Sequence, residues 1–238
     1  MNNKEELITP KPSTGDTAHL VASGILSIIP GAAELFRWFV APPFEKRQHE
    51  WMSQVGEVLR TLEKRQSNVI QELQSNEAFV SIVTHATFVA LKNHHEVKRT
   101  ALRNALLNAG VSSAPGEDLQ LAFVRFIDEL SPSTILLLRL MMNREKEVGA
   151  VKSYGDLYEL LAPDLGSGLS HDMFKMLCSE LEVRGLVTLS PDIGEFPGIY
   201  EASALLLEER FTNLPFVRVS DIGRQFVDFI AGDKIRAA

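Results

Sequence analysis

The chain has only one cysteine in 238 residues, Cys178. A single thiol cannot form a disulfide within the chain, so the disulfide framework typical of small secreted domains is excluded. Cys178 lies among Phe174, Leu177 and Leu181 at helical spacing, which predicts a buried core thiol. Because the start of the chain is also polar and lacks the apolar run of a signal peptide, we expect a cytoplasmic location.

Net positive charge is lacking as well. The chain carries 24 Lys and Arg against 31 Asp and Glu, a formal net charge of -7 at pH 7. The imbalance lies in the second half, since residues 1–110 hold 12 cationic and 11 acidic side chains whereas residues 111–238 hold 12 and 20. No long-range attraction therefore draws this protein to phosphate backbones or anionic lipids. Nucleic acid is a disfavoured partner.

No apolar run is long enough to span a bilayer. Residues 1–17 are polar and contain Pro and Gly, which predicts a flexible arm. The apolar stretch over residues 20–44 is interrupted by Pro30-Gly31 and Glu34, and neither half reaches about 20 apolar residues. We favour two short helices that pack on the rest of the protein over a membrane-active hairpin. In the hairpin alternative the lipid contacts would be Leu26, Ile29, Trp38 and Phe39.

Catalytic and metal-binding motifs are missing. His94 and His95 are neighbours that point in different directions on a helix, and His85 lies about two and a half turns earlier. The stretch 166–168 places Ser167 between two glycines but lacks the preceding strand of a nucleophile elbow. These patterns predict a protein that is not an enzyme and that binds no cofactor or metal.

What the chain does contain is helical periodicity over its first 130 residues. Apolar residues recur at three- and four-residue steps in an amphipathic helix predicted over residues 44–74. Further helical spacing covers residues 77–109, with a break expected at residues 93–95, and residues 119–130. We therefore predict an antiparallel helical bundle over residues 18–130. The apolar face of its long helix comprises Trp51, Val55, Leu59, Leu62, Val69 and Leu73.

Residues 131–231 have the element order of a winged helix. Helix starts are predicted at Ser131-Pro132, at Ser153 and at Ser170, because serine at these positions can accept a bond from an orphan amide of the first turn. The helix from Ser170 is expected to stop at Gly185, and the one from Tyr154 at Leu161, before Pro163. Strands 186–189 and 216–219 and a closing helix over residues 220–230 follow, and residues 232–238 form a tail. The closing helix is expected to bury Ile222, Phe226, Phe229 and Ile230.

The charges on the predicted recognition helix argue for a protein partner rather than DNA. A DNA-reading helix needs several cationic or amide side chains near its start, whereas this helix mixes Lys175 and Arg184 with acidic residues that repel phosphate. We therefore expect the module to dock a protein. The connection between the two predicted strands, residues 190–215, is the acidic wing of this module and is suited to a basic partner. The candidate interaction surface comprises Asp172, Lys175, Glu195, Glu201, Glu208 and Glu209.

Four short segments, 29–31, 42–47, 76–80 and 98–105, together with the helix that contains Trp51, give the chain a resemblance to known bacterial proteins. Over residues 25–140 it resembles a family of bacterial helical proteins without an assigned activity, and it is similar to Abi-alpha-type abortive-infection proteins, which pair a helical body with a small C-terminal module. The resemblance implies a role in bacterial defence or stress and brings no catalytic residues. The C-terminal part resembles winged-helix domains in general, a pattern that predicts a fold rather than a function.

The sequence thus predicts a mainly α protein: an antiparallel helical bundle followed by a small winged-helix-like α+β module. Its expected function is non-enzymatic, as a protein-interaction or regulatory protein that could also form a homo-oligomer. One alternative is a winged-helix DNA-binding transcriptional regulator, which a basic strip near Lys152, Lys175, Arg184, Arg218 and Arg224 would favour. The other is a membrane-perturbing effector that uses residues 20–44.

Overall fold

A computed structural model describes residues 42–66, 69–111, 114–166, 168–189 and 217–232. These residues form ten helices and one two-stranded antiparallel sheet, so the predicted mainly α fold class is confirmed. The predicted arm at residues 1–17, the apolar stretch up to residue 41, the wing at residues 190–215, the first residue of the second predicted strand and all but the first residue of the tail lie outside the described residues.

The chain divides into two compact units. The first comprises Met1–His94 and Leu106–Glu117, and the second comprises His95–Ala105 and Asp118–Ala238. This grouping places residues 118–130 with the C-terminal part, whereas the sequence places them in the bundle. Whether either part folds alone, and hence the boundary at 130/131, stays a prediction.

The first unit is built on an amphipathic helix, α1 (Pro42–Arg65), followed by α2 (Val69–Gln74) and α3 (Glu77–Lys92). The predicted single helix over residues 44–74 is wrong in one respect, because α1 ends at Arg65 and α2 begins anew at Val69. Its predicted apolar face is confirmed, since all six side chains from Trp51 to Leu73 are buried. The indole Nε1 of Trp51 donates to Thr87 Oγ1 on α3 at 3.0 Å.

The predicted break at residues 93–95 is confirmed. Helix α3 starts at the N-cap Asn76, whose side chain accepts from the Phe79 amide, and it ends before Asn93. The next helix, α4 (Glu96–Ala109), contributes residues to both units. Asn93 ends the helix because its backbone is extended, with φ −105° and ψ 133°, and its side chain donates to the Val89 carbonyl at 2.9 Å.

The second unit contains most of the remaining helices and the sheet. Its helices are α5 (Glu117–Glu129), α6 (Pro132–Asn143), α7 (Glu145–Val148), α8 (Tyr154–Leu165), α9 (His171–Val183) and α10 (Asp221–Phe229). Four of them start on a serine whose side chain accepts an amide of the first turn, which satisfies one orphan donor each. These N-caps are Ser131, Ser153, Ser170 and Ser220.

An aromatic cluster ties the two ends of this unit together. The ring of Phe123 on α5 lies 5.4 Å from the rings of both Phe226 and Phe229 on α10. On α4, Lys98 Nζ donates to the Asp128 carbonyl at 2.7 Å, and Asn104 Nδ2 donates to the Ile230 carbonyl at 3.0 Å. These contacts explain why α5 groups with the C-terminal part of the chain.

The sheet follows α9 directly. Gly185 adopts φ +67°, a left-handed conformation that glycine tolerates, and so turns the chain from α9 into β1 (Val187–Leu189). Strand β2 (Val217–Val219) pairs with β1 in antiparallel register, with Val187 opposite Val219. The Ser220 hydroxyl donates to the Gly185 carbonyl at 2.6 Å, which fixes the start of α10 beside this turn.

Two details of the predicted module are wrong. Helix α8 continues through Pro163 to Leu165. Proline there removes only the backbone bond to the Glu159 carbonyl, since the helix ends two residues later. Ile222 is exposed, whereas Phe226, Phe229 and Ile230 are buried as expected. The buried face of α10 is centred between Gly223 and Ile230, and Ile222 lies at its margin in the first turn.

We expect Trp51→Ala to lower the free energy of unfolding by about 3–5 kcal/mol, because it leaves a cavity and removes the bond to Thr87. Urea unfolding followed by circular dichroism measures the change. The control is Phe88→Ala on α3, where half of the side chain is exposed and the effect should stay within about 0.5 kcal/mol. An equally small effect of Trp51→Ala would contradict its place in the core.

Gly223→Ala should destabilise the second unit by about 1–3 kcal/mol, because a Cβ there would overlap the backbone carbonyl oxygen of Leu186. Gly155→Ala in the first turn of α8 is the matched control, since its Cβ would meet only the Ser153 hydroxyl at 3.5 Å. That substitution should leave stability unchanged or raise it by about 0.5–1 kcal/mol. Thermal unfolding of both variants tests the difference, and equal melting temperatures would refute it.

Candidate interaction surface

Helix α9 occupies the position of the predicted recognition helix and buries only one side. Ser170 caps its start by accepting from the Met173 amide at 3.2 Å. Phe174, Leu177, Cys178 and Leu181 are all buried, which confirms the predicted core face of this helix. Since these four residues hold α9 against α6, α8 and β1, the opposite side is fixed toward solvent.

The exposed side of α9 is unexpectedly apolar. Five large apolar side chains are exposed among the described residues, and three of them lie on α9. Their exposed fractions are 42% for Met173, 54% for Met176 and 84% for Val183. At 3.6 residues per turn these three positions fall within an arc of about 80°, on one side of the helix. We call Met173, Met176 and Val183 the apolar stripe of α9.

On the α8 side of the stripe, aromatic rings hold the N-terminal end of α9. Lys175 Nζ lies 5.2 Å from the centroid of the Tyr154 ring. The ring of His171 stacks on Tyr158 with centroids 3.7 Å apart, and the Tyr158 hydroxyl donates to the Leu169 carbonyl at 2.6 Å. The ammonium of Lys175 therefore interacts with an aromatic face within the same unit.

Carboxylates hold the C-terminal end of α9, where Glu180 lies between Met176 and Val183 on the side of the stripe. The Thr134 hydroxyl of α6 donates to Glu180, and Arg184 lies 3.4 Å from a carboxylate oxygen of Glu129 and 3.8 Å from one of Glu180. Two acidic side chains therefore surround one guanidinium. Within the described structure the buried Nε of Arg184 has no hydrogen-bond partner.

Two other cations of the predicted basic strip, Arg218 and Arg224, interact with a carboxylate of the same unit. Arg224 of α10 forms an ion pair with Glu145 of α7, and its hydrogen bond is the main reason why the pKa of Glu145 lies below the usual value. Arg218 contributes to the same lowering of the Glu145 pKa. Of the five cations considered for DNA, Lys175, Arg184 and Arg224 thus have partners within the unit.

The candidate surface residues have mixed outcomes. Asp172 is exposed in the first turn of α9, next to the apolar stripe, whereas Lys175 is only half exposed. The remaining acidic candidates, Glu195, Glu201, Glu208 and Glu209, lie outside the described residues, as do the candidate lipid contacts Leu26, Ile29, Trp38 and Phe39. The stripe was not predicted from the sequence, although its positions fall outside the helix face formed by Phe174, Leu177 and Leu181.

Comparisons with known proteins give no assignment, because no protein-family profile, curated protein or solved structure matches this chain. The resemblance to bacterial helical proteins therefore stays a prediction. Among the helices of the described ranges, none combines the length and apolar character needed to cross a membrane. The described side chains also include no group of three or more His, Cys, Asp or Glu that could hold a metal ion.

Cys178 faces the core rather than this surface. Burial is the main cause that raises the pKa of its thiol to about 12, and the negative charge of Glu182 adds to the effect. Because the thiolate is the reactive form of cysteine, this thiol is poorly suited to act as a nucleophile near neutral pH.

We expect Cys178 to resist a disulfide-exchange reagent at pH 8 in the folded protein and to react fully in denaturant. The release of a chromophoric thiolate measures both rates, and the single cysteine makes the signal unambiguous. Reaction of the native protein at a rate close to that of the unfolded chain would contradict the buried position of this side chain.

Proposed function

We propose that this chain is a non-enzymatic protein-interaction protein that binds a partner through the apolar stripe of α9, within a winged-helix-like module. The observation that carries the proposal is the exposure of Met173, Met176 and Val183 on one side of α9. Exposed apolar groups that share one face of a helix favour a protein contact. Methionine side chains are flexible and polarisable, which suits them to such surfaces.

The order of elements supports the winged-helix-like part of the proposal. Helices α6, α8 and α9 lie in series, and β1 and β2 follow as an antiparallel pair. In a DNA-binding winged helix the last helix before the strands enters the major groove, where cationic and amide side chains read base edges. In this chain the same helix carries Asp172 and the apolar stripe on its outward side.

The charges support a protein partner over nucleic acid. Lys175, Arg184 and Arg224 interact with an aromatic ring or carboxylates of the same unit, so binding of a phosphate would compete with those contacts. The acidic balance of residues 111–238 adds long-range repulsion. A DNA-binding regulator is the less favoured function, and a membrane effector depends on residues 20–44.

The resemblance of residues 25–140 to bacterial helical and Abi-alpha-type proteins supports a proposal about where the protein acts and in which process. We place the protein in the bacterial cytoplasm, in a defence or stress response. The helical bundle would then serve in docking or self-association, while the C-terminal module recognises the partner.

The proposal predicts that tagged full-length protein captures a protein partner from its native cytoplasm and that nuclease treatment does not reduce the capture. The double substitution Met176→Asn with Val183→Asn should lower the recovered partner about tenfold or more, because truncated apolar anchors lose most of the contact energy. Quantitative mass spectrometry of the captured material measures the change.

The matched control is Phe88→Asn, which removes an exposed apolar side chain from α3 in the other unit. Circular dichroism melting should show that both variants remain folded. Equal capture by the wild type and the α9 variant would refute the proposed site. Recovery mainly with nuclease-sensitive DNA would indicate a regulator, and recovery mainly with membranes would indicate an effector.

A further inference from the structure

We infer that the occupant of the apolar stripe is a basic amphipathic helix of a partner protein, with its apolar residues against Met173, Met176 and Val183 and its Lys or Arg residues against the acidic rim. The inference rests on the proposed protein-binding function of α9 and adds the chemistry of the partner. Two independent features of α9 carry it: the spacing of the stripe and the charges beside it.

The spacing of the stripe fits a helix. Met173 and Met176 are about 4.5 Å apart along the helix axis, and Met176 and Val183 about 10.5 Å, at 1.5 Å per residue. The stripe therefore spans about 15 Å along the helix axis, and Glu180 lies in the same arc between Met176 and Val183. An amphipathic helix presents anchors at steps of three, four and seven residues over the same length, which is the usual pattern of helix-in-groove recognition.

The charges beside the stripe favour a cationic partner. Asp172 and Glu182 are exposed at the two ends of α9, and Glu129 and Glu180 lie near Arg184. The cations in the same region are Lys175, which interacts with the Tyr154 ring, and Arg184 itself. The carboxylates outnumber these cations, so the rim is net acidic.

The C-terminal end of α9 strengthens this preference. The last carbonyls of a helix carry about half a negative charge, and Glu182 adds a full one close to Val183. A Lys or Arg that flanks the apolar anchor against Val183 would be attracted to both. A second copy of this chain would bring the same acidic rim to both sides of the contact, so the charges disfavour self-pairing.

The test places a photo-crosslinking phenylalanine analogue at position 176 of the full chain in its native cytoplasm, with the same analogue at position 88 as a control. Mass spectrometry then identifies the segment that is cross-linked at position 176 and not at position 88. We expect a segment that has apolar residues at helical spacing and an excess of Lys and Arg. A neutral, acidic or non-periodic segment would overturn the inference, as would a second copy of this chain, nucleic acid, lipid, or no specific cross-link.

Charge variants separate this inference from the function on which it rests. Asp172→Asn with Glu182→Gln removes two charges yet retains an oxygen that can accept the Leu189 amide, as Glu182 does at 3.1 Å. Capture of the partner should fall about fivefold at low salt, and the difference should shrink as the ionic strength rises.

The combined results decide each claim. If the asparagine substitutions at 176 and 183 abolish capture while the charge variant binds as well as the wild type, the docking function stands and the basic partner is refuted. If neither variant changes the capture, both the function and the inference fail. A basic amphipathic segment together with weaker capture by the charge variant supports both.

Discussion

The burial of Phe174, Leu177, Cys178 and Leu181 fixes the rotation of α9 about its own axis, and the character of the exposed surface depends on that rotation. Because these four positions recur at helical spacing, one arc of the helix is committed to α6, α8 and β1. If α9 were rotated by about 100° about its axis, each surface position would be taken by the neighbouring residue in the sequence and the apolar stripe would be buried. Ser170 at one end and Gly185 at the other fix the ends of the helix and so its position along the chain.

Three arginines of the second unit, Arg144, Arg184 and Arg224, form ion pairs with carboxylates of the same unit, and this pairing affects the charge that the surface presents. Arg144 bonds to Glu147, Asp164 and the Leu160 carbonyl, and Arg224 bonds to Glu145. Exposed ion pairs of this kind contribute little to stability, about 0–1 kcal/mol each. Their larger effect is on the surface, because a cation beside a carboxylate is less available to an external anion. Over residues 111–238 as a whole, acidic side chains outnumber basic ones by 20 to 12.

Features governed by local chemistry were predictable from the sequence, and features governed by tertiary contact were not. The serine caps at 131, 153 and 170 and the glycine at 185 follow from orphan amides and backbone conformation within one turn. The end of α1 at Arg65, the continuation of α8 through Pro163 and the exposure of Ile222 were not predicted, because periodicity and the position of a proline do not fix where a helix ends or which residues at the margin of its apolar face are covered. The acidic character of the candidate surface could be predicted from the excess of Asp and Glu over residues 111–238. The apolar stripe was not predicted because the apolar residues of α9 were assigned to the core without distinguishing the side of Phe174 and Leu177 from the side of Met176 and Val183.

The exposure of the apolar stripe is difficult to explain by folding alone. A single exposed apolar side chain is ordinary on a protein surface and requires no cause. Three exposed apolar side chains on one side of a helix require an explanation when another side of the same helix already packs in the core. Polar residues at these three positions would leave the packing of Phe174 and Leu177 intact. The uncovered parts of these side chains add no burial to the isolated chain and increase its tendency to associate. They contribute free energy only when another surface covers them, and the carboxylates beside them restrict which surfaces can do so.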